Sequence, residues 1–278
     1  KSIKRCRGCG LSIYVKYYQN QLNLKCNLMP EISLLIPIFN VEKTIIRVID
    51  RLIDLLTNVN YSYEIILIND GSTDLTLDQI KNYVNNSNIR VLSYKNNVGK
   101  GHALKSGVKF VTGKYTVFLD GDLEISASNL NDYVQGLQNS DIAIASKQHP
   151  NSIVNRPIAR KVFSLAFRTL VSSLTGLNAS DTQSGFKAFK SSALKQIAPL
   201  LTVKKYAFDV ELLVIAKILN MKIVELPVYL TMDAKFGFKN IIRMFIDLLG
   251  ITYRLRITRW YHKSLNNPNV KHKPIINW

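Results

Sequence analysis

Two alternating patterns that begin at Ile32 narrow the folds open to this chain more than anything else in it. Short, almost purely apolar runs alternate with longer stretches whose apolar residues recur at helical spacing. "ISLLIPIF" opens the series, and residues 41–59 follow with Ile45, Ile49, Leu52 and Leu56 on one helical face. "YEIILIND", "IRVLSY" and "YTVFLD" read as further strands, with helical segments at 72–86 and 99–113 between them. "DIAIASKQ" and "KIVELPVYL" read as later strands, the second with a proline suited to a sheet edge. Runs this apolar must be buried on both faces. Strand–helix alternation then predicts a mostly parallel, Rossmann-like α/β sheet with helices on both sides. A chain of 278 residues holds core enough for one large domain or two small ones.

Such sheets bind ligands at the carboxyl ends of their strands. The loops there read "PIFN", "NDGSTD", "NNVGKG" and "DGDLE". In the last, Asp120 and Asp122 lie two apart and project to one side of extended chain, and Gly121 permits close approach. Carboxylates that close repel. A hard cation, Mg²⁺ or Mn²⁺, with a diphosphate would reconcile them, and Glu124 could complete the shell. Asp70 ends the second strand, where an acid can accept hydrogen bonds from a ribose or base edge. Lys100 can reach a phosphate, although the full P-loop spacing is absent. "DTQSGFKAFK" reads as a polar turn offering Asp181, Gln183 and Lys187. No histidine stands out as catalytic, and no serine with an adjacent base is visible.

The formal net charge of +18 calls for an anionic partner. Nucleic acid is set aside, because base-stacking and groove-reading motifs are absent. No apolar run approaches the ~18 residues of a membrane span, and the N-terminal stretch lacks the apolar centre of a signal peptide. Two segments, 157–174 and 240–261, are apolar and basic at once. They read either as packed helices with a solvated basic face or as helices lying in a membrane interface. Trp260 beside Arg254, Arg256 and Arg259 favours the second reading for the C-terminal one. Residues 1–30 show no periodicity and read as a separate appendage. Cys6, Cys9 and Cys26 are either reduced thiols or a zinc site short of a fourth ligand.

In their order, "SLLIPIFN", "EIILINDGSTDLT", "NNVGKGHALKSG" and "VFLDGDLE" resemble family 2 glycosyltransferases of the GT-A fold. "DTQSGFKAFK" and "KKYAFDVELLVIAKILNMKIVELPV" resemble the polyprenyl-phosphate sugar transferases, with "AFDVELL" most similar to dolichyl-phosphate glucosyltransferases. The resemblance runs from about Ile32 to Tyr261 and implies a GT-A catalytic domain at 31–235. A basic amphipathic segment at 236–278 would associate with membrane. It implies transfer of a hexose, with UDP-glucose favoured, to a polyprenyl or dolichyl phosphate with inversion. GDP-mannose-dependent transfer and glycan extension are the alternatives. Pro37, Phe39, Asn40, Glu42, Asp70, Lys100, Gly121, Lys147, Gln183 and Asp209 would bind the nucleotide sugar. Asp120, Asp122 and Glu124 would bind the metal. Arg156 and Arg160 would meet the acceptor phosphate, Lys187 the diphosphate and sugar. Glu211 shares "FDVE" with Asp209 as a carboxylate near the sugar. The expected location is peripheral, on the cytoplasmic face of a membrane with an anionic surface. Val41, Asn69, Glu124 and Lys147 depart from the family pattern and bear on sugar and base preference.

Overall fold

The computed structural model describes residues 4–5, 12–14, 29–57, 59, 61–120, 130–155, 157–231 and 238–267. At 4–5, 12–14, 84–85, 155, 158–160, 229–231 and 238–240 it describes the backbone alone. The expected alternation appears as β3 (Ile32–Ile38), α1 (Ile45–Thr57), β4 (Tyr63–Asp70), α2 (Thr76–Lys81), β5 (Ile89–Tyr94), α3 (Lys100–Gly107) and β6 (Tyr115–Phe118). These strands lie side by side, all parallel, in the order β5-β4-β3-β6. Strand order reverses between β3 and β6, the place where open α/β sheets form a ligand crevice.

The chain continues through α4 (Leu130–Gly136), β7 (Ile142–Ala145), β8 (Ile153–Asn155), α5 (Ile158–Thr175), β9 (Lys187–Lys190), α6 (Ser191–Ile197) and α7 (Phe208–Ile218). It ends with β10 (Ile223–Leu226), β11 (Tyr229–Thr231), α8 (Phe238–Thr252) and α9 (Trp260–Asn266). β9 inserts antiparallel between β6 and β7, and β10 closes that edge parallel to β7. At the other edge, β1 (Lys4–Arg5) and β2 (Ser12–Tyr14) form an antiparallel pair, and β2 pairs with β5. Among the described residues the main sheet thus has nine strands, and β8 and β11 form a small parallel sheet of their own.

Side-chain alternation splits the apolar residues into two cores. Leu34, Ile36 and Ile38 of β3 face a core shared with α1, α2 and α4. Leu35 faces the opposite core, shared with α3, α5, α6, α7 and α8. The four residues expected on one face of the first helix are all buried.

Three expectations change. Residues 180–190, read as a turn, end in strand β9; four residues are too few to show a period. "KIVELPVYL" is two strands, because Pro227 offers no N–H to continue the ladder. The C-terminal helix is also broken: α8 runs into a π-helical turn, Tyr253–Ile257, and Arg259 at φ 52° precedes α9.

Candidate active site

A cleft of about 740 Å³ opens at the carboxyl ends of β3, β4 and β6. One wall is made of strand ends and their loops, the other of α5 and α8.

On the strand wall, Pro37 and the exposed Phe39 line the cleft. Asn40 and Glu42 do not; they join the loops after β3 and β4. Asn40 takes the Thr73 N–H at 2.8 Å, and Glu42 takes the Leu75 N–H at 2.9 Å. Asp70 reaches the cleft edge, but its oxygens accept the N–H groups of Val98 and Gly99, both at 2.8 Å. It therefore shapes the turn that leads into Lys100 at the start of α3. Gly99 needs its freedom there: it sits at φ +120°, and a Cβ would lie 2.6 Å from the Lys204 carbonyl oxygen.

Lys100 delivers its ammonium to Asp120 at 2.6 Å and stands 4.0 Å from Asp209. Gly185 presses on the other side of Asp120; a Cβ there would lie 2.0 Å from Oδ2. Lys147 pairs with Asp181 at 3.2 Å, and Asp181 also takes the N–H groups of Lys147 and Gln183, both at 3.1 Å. Upstream in that loop, Glu225 of β10 accepts the Ser180 N–H at 2.7 Å. Gln183 lines the cleft and donates to the Met244 sulfur of α8 at 2.7 Å.

Lys187, expected against the diphosphate, is fully buried beneath the strand wall. Its ammonium contacts Asp209 at 2.8 Å and donates to the Ser184 carbonyl. Lys187 is thus a positioning residue for Asp209. Burial pushes the Lys187 amine down from its ordinary value, only partly opposed by Asp209. Burial alone would push the Asp209 carboxyl up, but Lys187, Lys100 and Lys147 outweigh it and hold the carboxyl below its usual value. Asp209 is therefore the carboxylate of "FDVE" that faces the cleft. Glu211 is fully buried elsewhere, where it accepts from Thr202, Val203 and Tyr261.

The helix wall differs in kind. Phe163, Phe167 and Met244 supply apolar surface, and Arg168 and Arg243 supply charge. Among the described residues neither arginine pairs with a carboxylate, and neither does Lys205 at the cleft rim. None of these six was singled out from sequence as a site residue. Helical spacing marked the segments as amphipathic, but only packing decides which face meets the cleft. Gly121, Asp122, Glu124 and Arg156 lie outside the described residues, as does the Arg160 side chain. Cys6, Cys9 and Cys26 also lie outside them.

Comparison with known proteins follows the same outline. Among solved structures, glucosyl-3-phosphoglycerate synthase from Mycobacterium tuberculosis in complex with UDP superposes with a TM-score of 0.61 at 20% identity. The match covers 81% of this chain and 79% of that one. The same enzyme with Mn²⁺, UDP-glucose and phosphoglyceric acid gives a TM-score of 0.60 at 19% identity over the same shares. These likenesses show the fold, GT-A. In sequence, the dolichyl-phosphate beta-glucosyltransferase of Dictyostelium discoideum is 32% identical across 84% of this chain and 77% of its own. The human dolichyl-phosphate beta-glucosyltransferase is 30% identical across 83% and 77%. The family model described as glycosyl transferase family 2 matches residues 33–198, from the first central strand to the helix after the antiparallel insertion. The chain therefore belongs to glycosyl transferase family 2 and is a glycosyltransferase.

Proposed function

We propose that the chain transfers glucose from UDP-glucose to the phosphate of dolichyl phosphate, with inversion at the anomeric carbon. The observation that carries this is the helix wall, where Arg168 and Arg243, without carboxylate partners among the described residues, stand beside Phe163, Phe167 and Met244. Surplus positive charge next to apolar surface suits a phosphate monoester on a hydrocarbon chain. The names of the sequence relatives support the same transferred sugar and acceptor.

In this reading the strand wall holds the nucleotide sugar, with Pro37 and Phe39 toward the nucleoside and Lys100 and Gln183 toward the diphosphate. Asp209, fixed by Lys187, stands where it can accept hydrogen bonds from sugar hydroxyls. Arg168 and Arg243, with Arg156 and Arg160 from the same sequence region as α5, orient the acceptor. A phosphate monoester has its second pKa near ~6, so its oxygens are largely ionised at neutral pH. A phosphate oxygen bonds to the anomeric carbon, the bond from that carbon to the diphosphate oxygen breaks, and its electron pair leaves with UDP. No side chain needs to remove a proton, consistent with a cleft that no histidine lines among the described residues.

Mg²⁺ or Mn²⁺ fits beside Asp120, whose hard oxygens face the cleft and already attract a cation, Lys100. Asp122 and Glu124 would complete the ligand set by sequence. When bound, the metal supplies positive charge to the leaving diphosphate.

In the same reading the protein lies peripherally on the anionic cytoplasmic face of a membrane. Ile242, Ile246, Leu249, Tyr253 and Ile257 are exposed and form one stripe along α8 and the turn after it. Val162 and Leu165 of α5 are exposed too, and Arg256 and Arg259 are exposed beside the stripe. Apolar residues flanked by arginine suit a lipid interface. Among the described residues no helix is long and apolar enough to cross a membrane.

The test is transfer from a panel of nucleotide sugars to dolichyl phosphate, read by the mass of the lipid product. Hexosyl-dolichyl phosphate from UDP-glucose is expected. Transfer only from GDP-mannose, or only to a glycan hydroxyl, would overturn the reading.

A further inference from the structure

Lys100 and Asp120 follow different strands, yet their charged atoms meet at 2.6 Å at the floor of the cleft. Both partners are held from behind. The Lys100 backbone follows Gly99, whose N–H is fixed on Asp70, and the neighbouring His102 N–H donates to the Lys204 carbonyl at 3.1 Å. Asp120 is backed by Gly185, with no room there for even one methyl group. The same ammonium stands 4.0 Å from Asp209, so it lies between two carboxylates of the strand wall. The Lys100 and Asp120 side chains are 34% and 37% exposed, which leaves the pair within reach of a ligand.

We propose that Lys100 is a built-in counter-cation that opposes a divalent metal at Asp120 until a diphosphate draws the lysine away. The proposal rests on the metal-dependent, nucleotide-sugar reading above. Two cations compete for the Asp120 carboxylate. A metal arriving alone must displace the ammonium from Oδ1 and then sit near its positive charge. A diphosphate brings oxygens for both cations. Lys100 moves onto it, and Asp120 becomes available. Nucleotide therefore strengthens metal binding, and by linkage metal strengthens nucleotide binding by the same factor. In the empty cleft the lysine also relieves repulsion between Asp120 and Asp209.

The experiment measures Mn²⁺ binding calorimetrically, with and without saturating UDP, for the wild type, Lys100→Met, Lys100→Arg and Lys205→Met. Lys205 lines the same cleft but makes no ion pair among the described residues. In Lys100→Met, Mn²⁺ alone should bind at least about fivefold more tightly than to the wild type, and the enhancement by UDP should fall by at least as much. Lys100→Arg should behave as the wild type. Lys205→Met should change the affinity for Mn²⁺ alone by less than about twofold, since its charge is not on Asp120. Unchanged Mn²⁺ affinity in Lys100→Met, an intact UDP enhancement, or an equal gain in Lys205→Met would each overturn the proposal. Failure of the wild type to bind UDP with Mn²⁺ would instead sink the nucleotide-sugar reading and the proposal with it.

Discussion

The two walls of the cleft solve opposite electrostatic problems. On the strand wall every described carboxylate has a partner within the protein: Asp120, Asp181 and Asp209 pair with Lys100, Lys147 and Lys187, and Asp70 accepts hydrogen bonds from loop amides. On the helix wall, Arg168 and Arg243 lack such partners among the described residues and stand against Phe163, Phe167 and Met244. A charge with a protein partner is preorganised. One without a partner is left for solvent or for an anionic ligand. Under the proposed function the strand wall is a donor site built for precise geometry, and the helix wall an acceptor site built for an anion carried on a greasy chain.

The comparison breaks most severely if the buried pair does not hold the strand wall together. Asp209→Asn leaves Lys187 buried without a counter-charge and should cost about 3–5 kcal/mol at neutral pH, read by chemical denaturation. The pH dependence has a definite sign. The Asp209 carboxyl is depressed in the folded state, so its contribution is present above the ordinary value of 3.8. It is lost as pH falls through the lower folded value. The gap between wild type and Asp209→Asn should therefore narrow in that acid range; a constant gap would show that the charge is irrelevant.

Asp120→Asn should slow transfer by at least about a hundredfold with little change in melting temperature, because it removes charge from the cleft floor rather than from the core. Gly185→Ala tests the same floor from behind. Its methyl group meets the Asp120 carboxylate, so Asp120 must move, and the crowding should cost roughly 1–3 kcal/mol of stability as well as activity. Arg243→Met probes the other wall. It should raise the KM for dolichyl phosphate about tenfold, roughly 1.4 kcal/mol, and leave the KM for UDP-glucose unchanged. Equal effects on both substrates would erase the distinction between the walls. The smallest effect on the folded protein is expected from Ile246→Asp, within about 0.5 kcal/mol for a residue 61% exposed, while binding to anionic vesicles falls.

The strand wall is the more legible of the two in the sequence. β3, β4, β5 and β6 are buried on both faces, so their composition announces them, and a parallel sheet leaves its ligands only the loops that follow. Asp70, Lys100 and Asp120 were found that way. Which charge pairs with which is not legible there. Lys187 is buried 22 positions before Asp209 in the chain, and nothing local says that an apparently polar turn ends in an antiparallel strand under the cleft. "FDVE" offered two carboxylates, and only packing shows that Asp209 faces the cleft while Glu211 turns to Tyr261.

Local chemistry was enough to make strands of the apolar runs and to put polar loops at their carboxyl ends, because burial on both faces and turn chemistry act over a few residues. Which charge neutralises which was a different matter. Lys100 meets Asp120 across 20 positions, and Arg168 joins Arg243 in one cleft across 75. Ion pairing and desolvation depend on distances of a few ångströms, and those distances exist only once β3 and β6 lie side by side with α5 and α8 packed across the end of the sheet.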